Sequence, residues 1–131
     1  TPLFVMLAGA YLERTGHNAF IAKLWPHILA ALEWIDVSGD RTGAGFVASF
    51  RRTKEGLANQ GWKDSYDSVF HANGALASGP IALVEVQAYV YAAKRAAATI
   101  ARGLGDGGRA ARLTEEADAL RIRFDRAFRD E

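Results

Sequence analysis

Between Gly56 and Gly74 the chain reads Gly-Leu-Ala-Asn-Gln-Gly-Trp-Lys-Asp-Ser-Tyr-Asp-Ser-Val-Phe-His-Ala-Asn-Gly, which gathers two carboxylates, a Trp, a Tyr, a His, several amides and a Lys in one short segment. Binding sites combine apolar faces with a few placed polar groups, and this composition suits a pocket wall better than a solvated linker. Asp64 and Asp67 stand three positions apart. Paired carboxyls are the means of glycoside hydrolysis: one protonates the leaving oxygen, and the other acts on water or on the anomeric carbon. Trp62, Tyr66 and His71 suit a sugar, because aromatic faces stack on pyranose C–H surfaces while polar tips bond hydroxyls. On spacing alone a structural alternative stands beside this reading: Asp64 caps a turn, Asp67 caps or forms an ion pair, and the aromatics pin the loop to the core. For Phe70 the pinning role is the one expected. Lys63 either orients a carboxylate or points to solvent.

The elements that must position these residues are helical. Pro2 to about Arg14 is apolar on every side, with Thr1 as candidate N-cap and Pro2 at the first helical position, so this helix is expected to be internal. Asn18 is the candidate cap of a second helix carrying Phe20, Leu24, Ile28, Leu32 and Ile35 on one stripe, with a kink or restart near Trp25 before Pro26. From Gly39 to Gly79 no long helical period survives. Gly45 to Phe50 is a candidate short strand, and the rest reads as ordered loop, a length that signals function. Ser78-Gly79-Pro80 is the expected start of a third helix, apolar from Ile81 to Ala93 except for Glu85 and Gln87. After the glycine-rich turn 103–108, a fourth helix places Leu113, Ala117, Leu120, Phe124 and Phe128 on one stripe against a solvated mixed-charge face. The order buried, amphipathic, loop, buried, amphipathic predicts an all-α fold of two helical hairpins, each with one inner and one outer helix.

Glu85 and Gln87 differ by about 200° of helical rotation, so only one of them can face a given pocket. Glu85, near the start of its helix with Tyr89 one turn on, is the candidate hydroxyl-binding acid; its alternative is a buried Glu paired to a base. Gln87 is expected to bond backbone or a neighbouring helix.

Composition removes several classes. The 131 residues carry 16 Lys and Arg against 15 Asp and Glu, a net charge of +1, so no field favours nucleic acid or anionic lipid. There is no cysteine, which suits a reducing compartment, and a cytoplasmic location is expected. The apolar opening gives way to Glu13 and Arg14 too early for a membrane span. Asp40-Arg-Thr-Gly-Ala-Gly45 has the alternation of a calcium loop, but one carboxylate is too few, and neither a metal nor another cofactor is expected. His17 and His27 read as surface or packing residues.

Asn59-Gln60-Gly61-Trp62-Lys63-Asp64-Ser65, together with Gly79-Pro80-Ile81-Ala82-Leu83-Val84-Glu85-Val86-Gln87-Ala88-Tyr89-Val90-Tyr91-Ala92-Ala93, resembles bacterial amylo-alpha-1,6-glucosidase or glycogen-debranching-enzyme-like proteins. The resemblance extends upstream through Thr1-Pro2-Leu3-Phe4 and Leu24-Trp25-Pro26. It implies membership of the six-hairpin glycosidases, whose (α/α)6 barrel places its active site among loops at one end of the inner helices. Residues 1–131 would then be a partial catalytic domain of about two hairpins, with room for a short β-hairpin in the loop between them. In related debranching glucosidases a Trp-x-Asp motif supplies the general acid, which the resemblance carries onto Asp64. The base of an inverting mechanism would belong to a later hairpin, outside this chain. Trp62, Lys63, Asp67, Glu85, Tyr89, Gln60 and His71 are the candidate substrate contacts, for an oligosaccharide or small glucoside. The other expected partners are the remaining hairpins of a longer chain, or further copies of this one. The competing reading is a non-catalytic helical scaffold or carbohydrate-binding module in which the same acids only cap turns.

Overall fold

A computed structural model describes residues 1–51, 53 and 55–129. Among the described residues the architecture is all-α, with four α-helices in two hairpins. Helix α1 (Pro2–Thr15) starts at Pro2 as expected, and ends where Gly16 takes φ 63° and returns its N–H to the Leu12 carbonyl. Only a residue tolerant of the left-handed region closes a helix this way at no steric cost. Helix α2 (Asn18–Glu33) is flanked by His17 in the cap position, so Asn18 is its first residue and not its cap. Pro26 does not restart it. Pro26 and Ala22 both lie on the exposed side, where the carbonyl that proline leaves without its helical partner can meet water. A π-helical turn, Trp34–Gly39, then leads into the long loop.

Helix α3 (Val84–Gly103) begins four residues later than Pro80 suggests. Ile81 is held extended, exchanging backbone bonds of 2.9 and 2.8 Å with Ser49, and the chain cannot coil until that pairing ends. The expected strand at 45–50 thus shrinks to one isolated bridge. A second bridge, Phe70 to Leu76, closes a narrow turn in the place allowed for a β-hairpin, and no longer strand occurs among the described residues. Helix α4 (Gly107–Ala127) is capped by Asp106, whose carboxylate accepts the Arg109 N–H at 3.0 Å.

Helix α3 is central, packed against α1 on one side and α4 on the other, with α2 paired to α1. Gly9 lets α1 approach closely, since a Cβ there would lie 2.6 Å from that of Ala96. The core comprises Val5, Ile21, Ile28, Ile35, Val90, Ala97, Ile100, Leu113 and Leu120. Ile28, Leu32 and Ile35 are buried as the α2 stripe predicts, whereas Phe20 sits at the edge against Tyr11, ring centroids 5.2 Å apart. On α4, Leu113, Ala117 and Leu120 are buried, and Phe124 stacks on Phe128. The third helix is largely buried as expected; α1 is only partly so. Leu3 and Leu7 of α1 face solvent because nothing among the described residues covers that side. The layering of α1 and α3 within, α2 and α4 without, is that of two neighbouring hairpins of an α/α toroid.

The loop from Asp40 to Leu83 leaves the C-terminal end of α2 and returns at the start of α3, so it caps the N-terminal end of the inner helices. Three contacts fix it there. Asp40 accepts the Gly45 N–H at 2.7 Å and the Thr42 hydroxyl at 3.2 Å, which closes the first turn. Gln87, buried on α3, accepts the Val47 N–H at 2.9 Å and donates to the Val47 carbonyl at 2.7 Å and to the Leu83 carbonyl at 3.0 Å. This is the backbone role expected of it. Lys94, whose side chain is 7% exposed, donates to Asp36 of the π-helical turn at 2.7 Å and to Glu116 of α4 at 2.6 Å.

Candidate active site

The segment Asn59 to Ser68 is organised from inside by polar side chains. Asn59 is 3% exposed and donates to the Ser65 carbonyl at 2.5 Å and to the Ser68 hydroxyl at 2.9 Å. The Ser68 hydroxyl donates in turn to the Lys63 carbonyl at 2.8 Å. The backbone is therefore gripped on both sides of Asp64. Buried amides persist only when satisfied, so Asn59 is spent on shape and is unavailable to a ligand. Gln60 donates to the Phe50 carbonyl at 3.0 Å, tying the turn to the other limb of the loop. Gly61 lies against α3: a Cβ there would stand 2.4 Å from Leu83 Cδ1 and 2.9 Å from Glu85 Oε1. Glycine thereby allows the turn to close onto the half-buried Glu85.

With Asn59, Gln60 and Gly61 holding the turn, Trp62, Lys63 and Asp64 project outward. Trp62 is 75% exposed, and the Lys63 ammonium lies 5.1 Å from its ring centroid. Lys63 thus keeps company with an aromatic face and not with a carboxylate. Asp64 and Asp67 are exposed, and among the described residues neither side chain has a hydrogen-bond or ion-pair partner. Among the described residues, neither acid thus makes the cap or ion pair of the structural alternative. Glu85 is half-buried, and no base among the described residues pairs with it.

The remaining candidates lie less centrally. Tyr89 is half-buried one turn beyond Glu85. His71 is exposed in the narrow turn, where its backbone N–H donates to the Ala75 carbonyl at 2.8 Å. Tyr66 and Phe70 are exposed, so Phe70 does not pin the loop to the core. Beside the turn opens a cleft of about 240 Å³ between the loop and the ends of α2 and α3, lined by Trp34, Ser38, Arg41, Phe50, Gln60 and Leu83 among others. Of these, Gln60 belongs to the Asn59–Ser65 motif and Leu83 to the Gly79–Ala93 motif. Trp34 and Ser38 lie in the π-helical turn that follows α2 and Arg41 in the loop just beyond it, and the apolar stripe of α2 gave no sign that the next turn would line this cleft.

What the arrangement can do is transfer a proton. A carboxyl with no partner among the described residues, on a backbone braced by two side chains, can meet a bound oxygen without first breaking a contact with any of them. The half-buried Glu85 against Gly61, unpaired among the described residues, and the exposed Trp62 indole can bond hydroxyls and stack on a ring. Among the described residues no helix is long and apolar enough to cross a membrane.

Comparison with curated proteins yields no match, and comparison with solved structures yields none. One family model does match, over residues 1–131, and it is described as the mannosylglycerate hydrolase MGH1-like glycoside hydrolase domain. The chain belongs to this glycoside hydrolase family.

Proposed function

We propose that this chain supplies the acid half of the active site of a glycosidase acting on alpha-linked glucosides, in the manner of amylo-alpha-1,6-glucosidase and glycogen-debranching-like enzymes. Asp64 is the general acid of an inverting hydrolysis, and the base that activates water stands outside this chain, in the rest of an (α/α)6 catalytic domain to which residues 1–131 belong. Trp62 stacks on the sugar. Glu85, with Tyr89, Gln60 and His71 around it, bonds hydroxyls; Asp67 and Lys63 shape the field at the rim. The observation that carries this reading is the exposed Asp64 carboxylate, without a partner among the described residues, on a turn braced by Asn59 and Ser68. The cysteine-free composition supports placing the enzyme in the cytoplasm.

Leaving-group chemistry tests the role of Asp64 directly. A poor leaving group needs its oxygen protonated as the bond breaks, whereas a nitrophenolate does not. In the full-length enzyme with Asp64→Asn, hydrolysis of an alkyl or glucosyl glucoside is expected to fall by about 10²–10⁴-fold, with 4-nitrophenyl glucoside much less affected. Equal losses on both substrates would remove the proton-donor assignment.

A further inference from the structure

Bonds within the Asn59–Ser68 turn fix its shape, but not where it stands over the inner helices. Gln60 and Gly61 seat it. Gln60 donates to the Phe50 carbonyl at 3.0 Å, and Gly61 lies so close to Leu83 that an added Cβ would collide with that side chain. Phe50 and Leu83 belong to different limbs of the long loop, and both limbs run back to Gln87. This residue is 1% exposed, and its amide pairs with Val47 as a neighbouring strand would, accepting the N–H at 2.9 Å and donating to the carbonyl at 2.7 Å. The same amide nitrogen donates to the Leu83 carbonyl at 3.0 Å. Beyond Val47, Ala48 donates to the Gly39 carbonyl at 3.0 Å and Ser49 exchanges bonds with Ile81, so the first limb is held residue by residue up to Phe50. An amide whose oxygen and both hydrogens are taken holds one geometry, because each bond it releases leaves a buried group unpaired.

We propose that Gln87 is a positioning residue: by tying Val47 to Leu83 it sets where the Trp62-Lys63-Asp64 turn stands, and so delivers the Asp64 carboxyl to the leaving oxygen. This role rests on the reading of Asp64 as the general acid.

Leaving-group dependence tests it in the full-length enzyme. Gln87→Met keeps the length of the side chain and removes all three bonds, while Gln87→Asn keeps the amide one methylene short. Each is assayed alone and combined with Asp64→Asn, on a glucosyl glucoside and on 4-nitrophenyl glucoside, below the melting temperature of the least stable variant. Misplacing an acid slows the substrate that needs it. Gln87→Met is expected to lower kcat on the glucosyl glucoside by about 10–100-fold, with kcat on the nitrophenyl substrate and both KM values within about threefold of native. Gln87→Asn should move the same way by less. Added to Asp64→Asn, neither should lower kcat further, because no acid is left to misplace. Hydrogen exchange across 59–68 should be faster in both Gln87 variants than in the native enzyme.

Equal losses on the two substrates, losses that multiply with Asp64→Asn, or unchanged exchange across 59–68 would overturn the proposal. If Gln87→Met does not fold, Gln87→Asn carries the same comparison; if neither folds, Gln87 serves stability and the proposal falls. Equal losses on the two substrates in Asp64→Asn itself would remove the acid reading and this role with it. A leaving-group preference in Asp64→Asn that the Gln87 variants lack would remove the positioning role alone.

Discussion

Asp64 is placed by other residues' side chains, and this gives the site its most specific consequences at the residue scale. Asn59→Ala removes the donor to the Ser65 carbonyl and to the Ser68 hydroxyl. We expect a destabilisation of about 1–3 kcal/mol, the usual effect of orphaning buried polar groups. Activity should fall further than folding does, because the turn that aims Asp64 loosens; thermal melts and steady-state kinetics on the same preparation check this. Gly61→Ala crowds both the Leu83 side chain and the Glu85 carboxylate, so its effect should appear mainly as weaker substrate binding, read as a raised KM. The motif's chemical residues were legible in the sequence because their types are unusual in a loop. The brace was not: bonds from Asn59 and Ser68 to partners five to nine residues away follow no period, and both residue types are common in ordinary turns.

At the scale of elements, the ends of helices decide where the loop sits. Lys94 ties the π-helical turn to α4, and the three charges are unequally placed: the ammonium is buried, while the side chains of Asp36 and Glu116 are 49% and 44% exposed. Removing both anions by Asp36→Asn with Glu116→Gln strands a buried charge and should cost about 3–5 kcal/mol. Lys94→Met should cost distinctly less, because the two carboxylates it releases can hydrate; denaturant unfolding of the two variants gives the comparison. Asp106 caps α4, and its pKa is lowered by the Arg109 backbone N–H first and then by the Arg109 side chain. A folded pKa below the unfolded value contributes stability that is present above the unfolded pKa and lost as pH falls through the folded one. Asp106→Ala should therefore lower the melting temperature at neutral pH, with the gap to the native chain closing in strong acid. The apolar runs made all four helices legible, but Pro80 misplaced the start of α3. A proline before an apolar run reads as a helix opening, and only the distant Ser49 explains why Ile81 stays extended.

For the molecule as a whole, the inner and outer alternation followed from which helices lack a polar face, and the packing of α1 and α3 between α2 and α4 agrees with it. What periodicity alone could not settle is how much of α1 this chain covers. Leu3 and Leu7, 58% and 68% exposed, form an apolar strip with no partner among the described residues. Such strips drive association. The isolated chain should show a mass rising with concentration in light scattering, and Leu7→Lys should shift it towards monomer. The central claim concerns Asp64, and the rate of the full-length enzyme with Asp64→Asn on an unactivated glucoside tests it most directly. We predict a kcat reduced by about 10²–10⁴-fold with circular dichroism and melting temperature unchanged; a kcat within a few-fold of the native enzyme would contradict it.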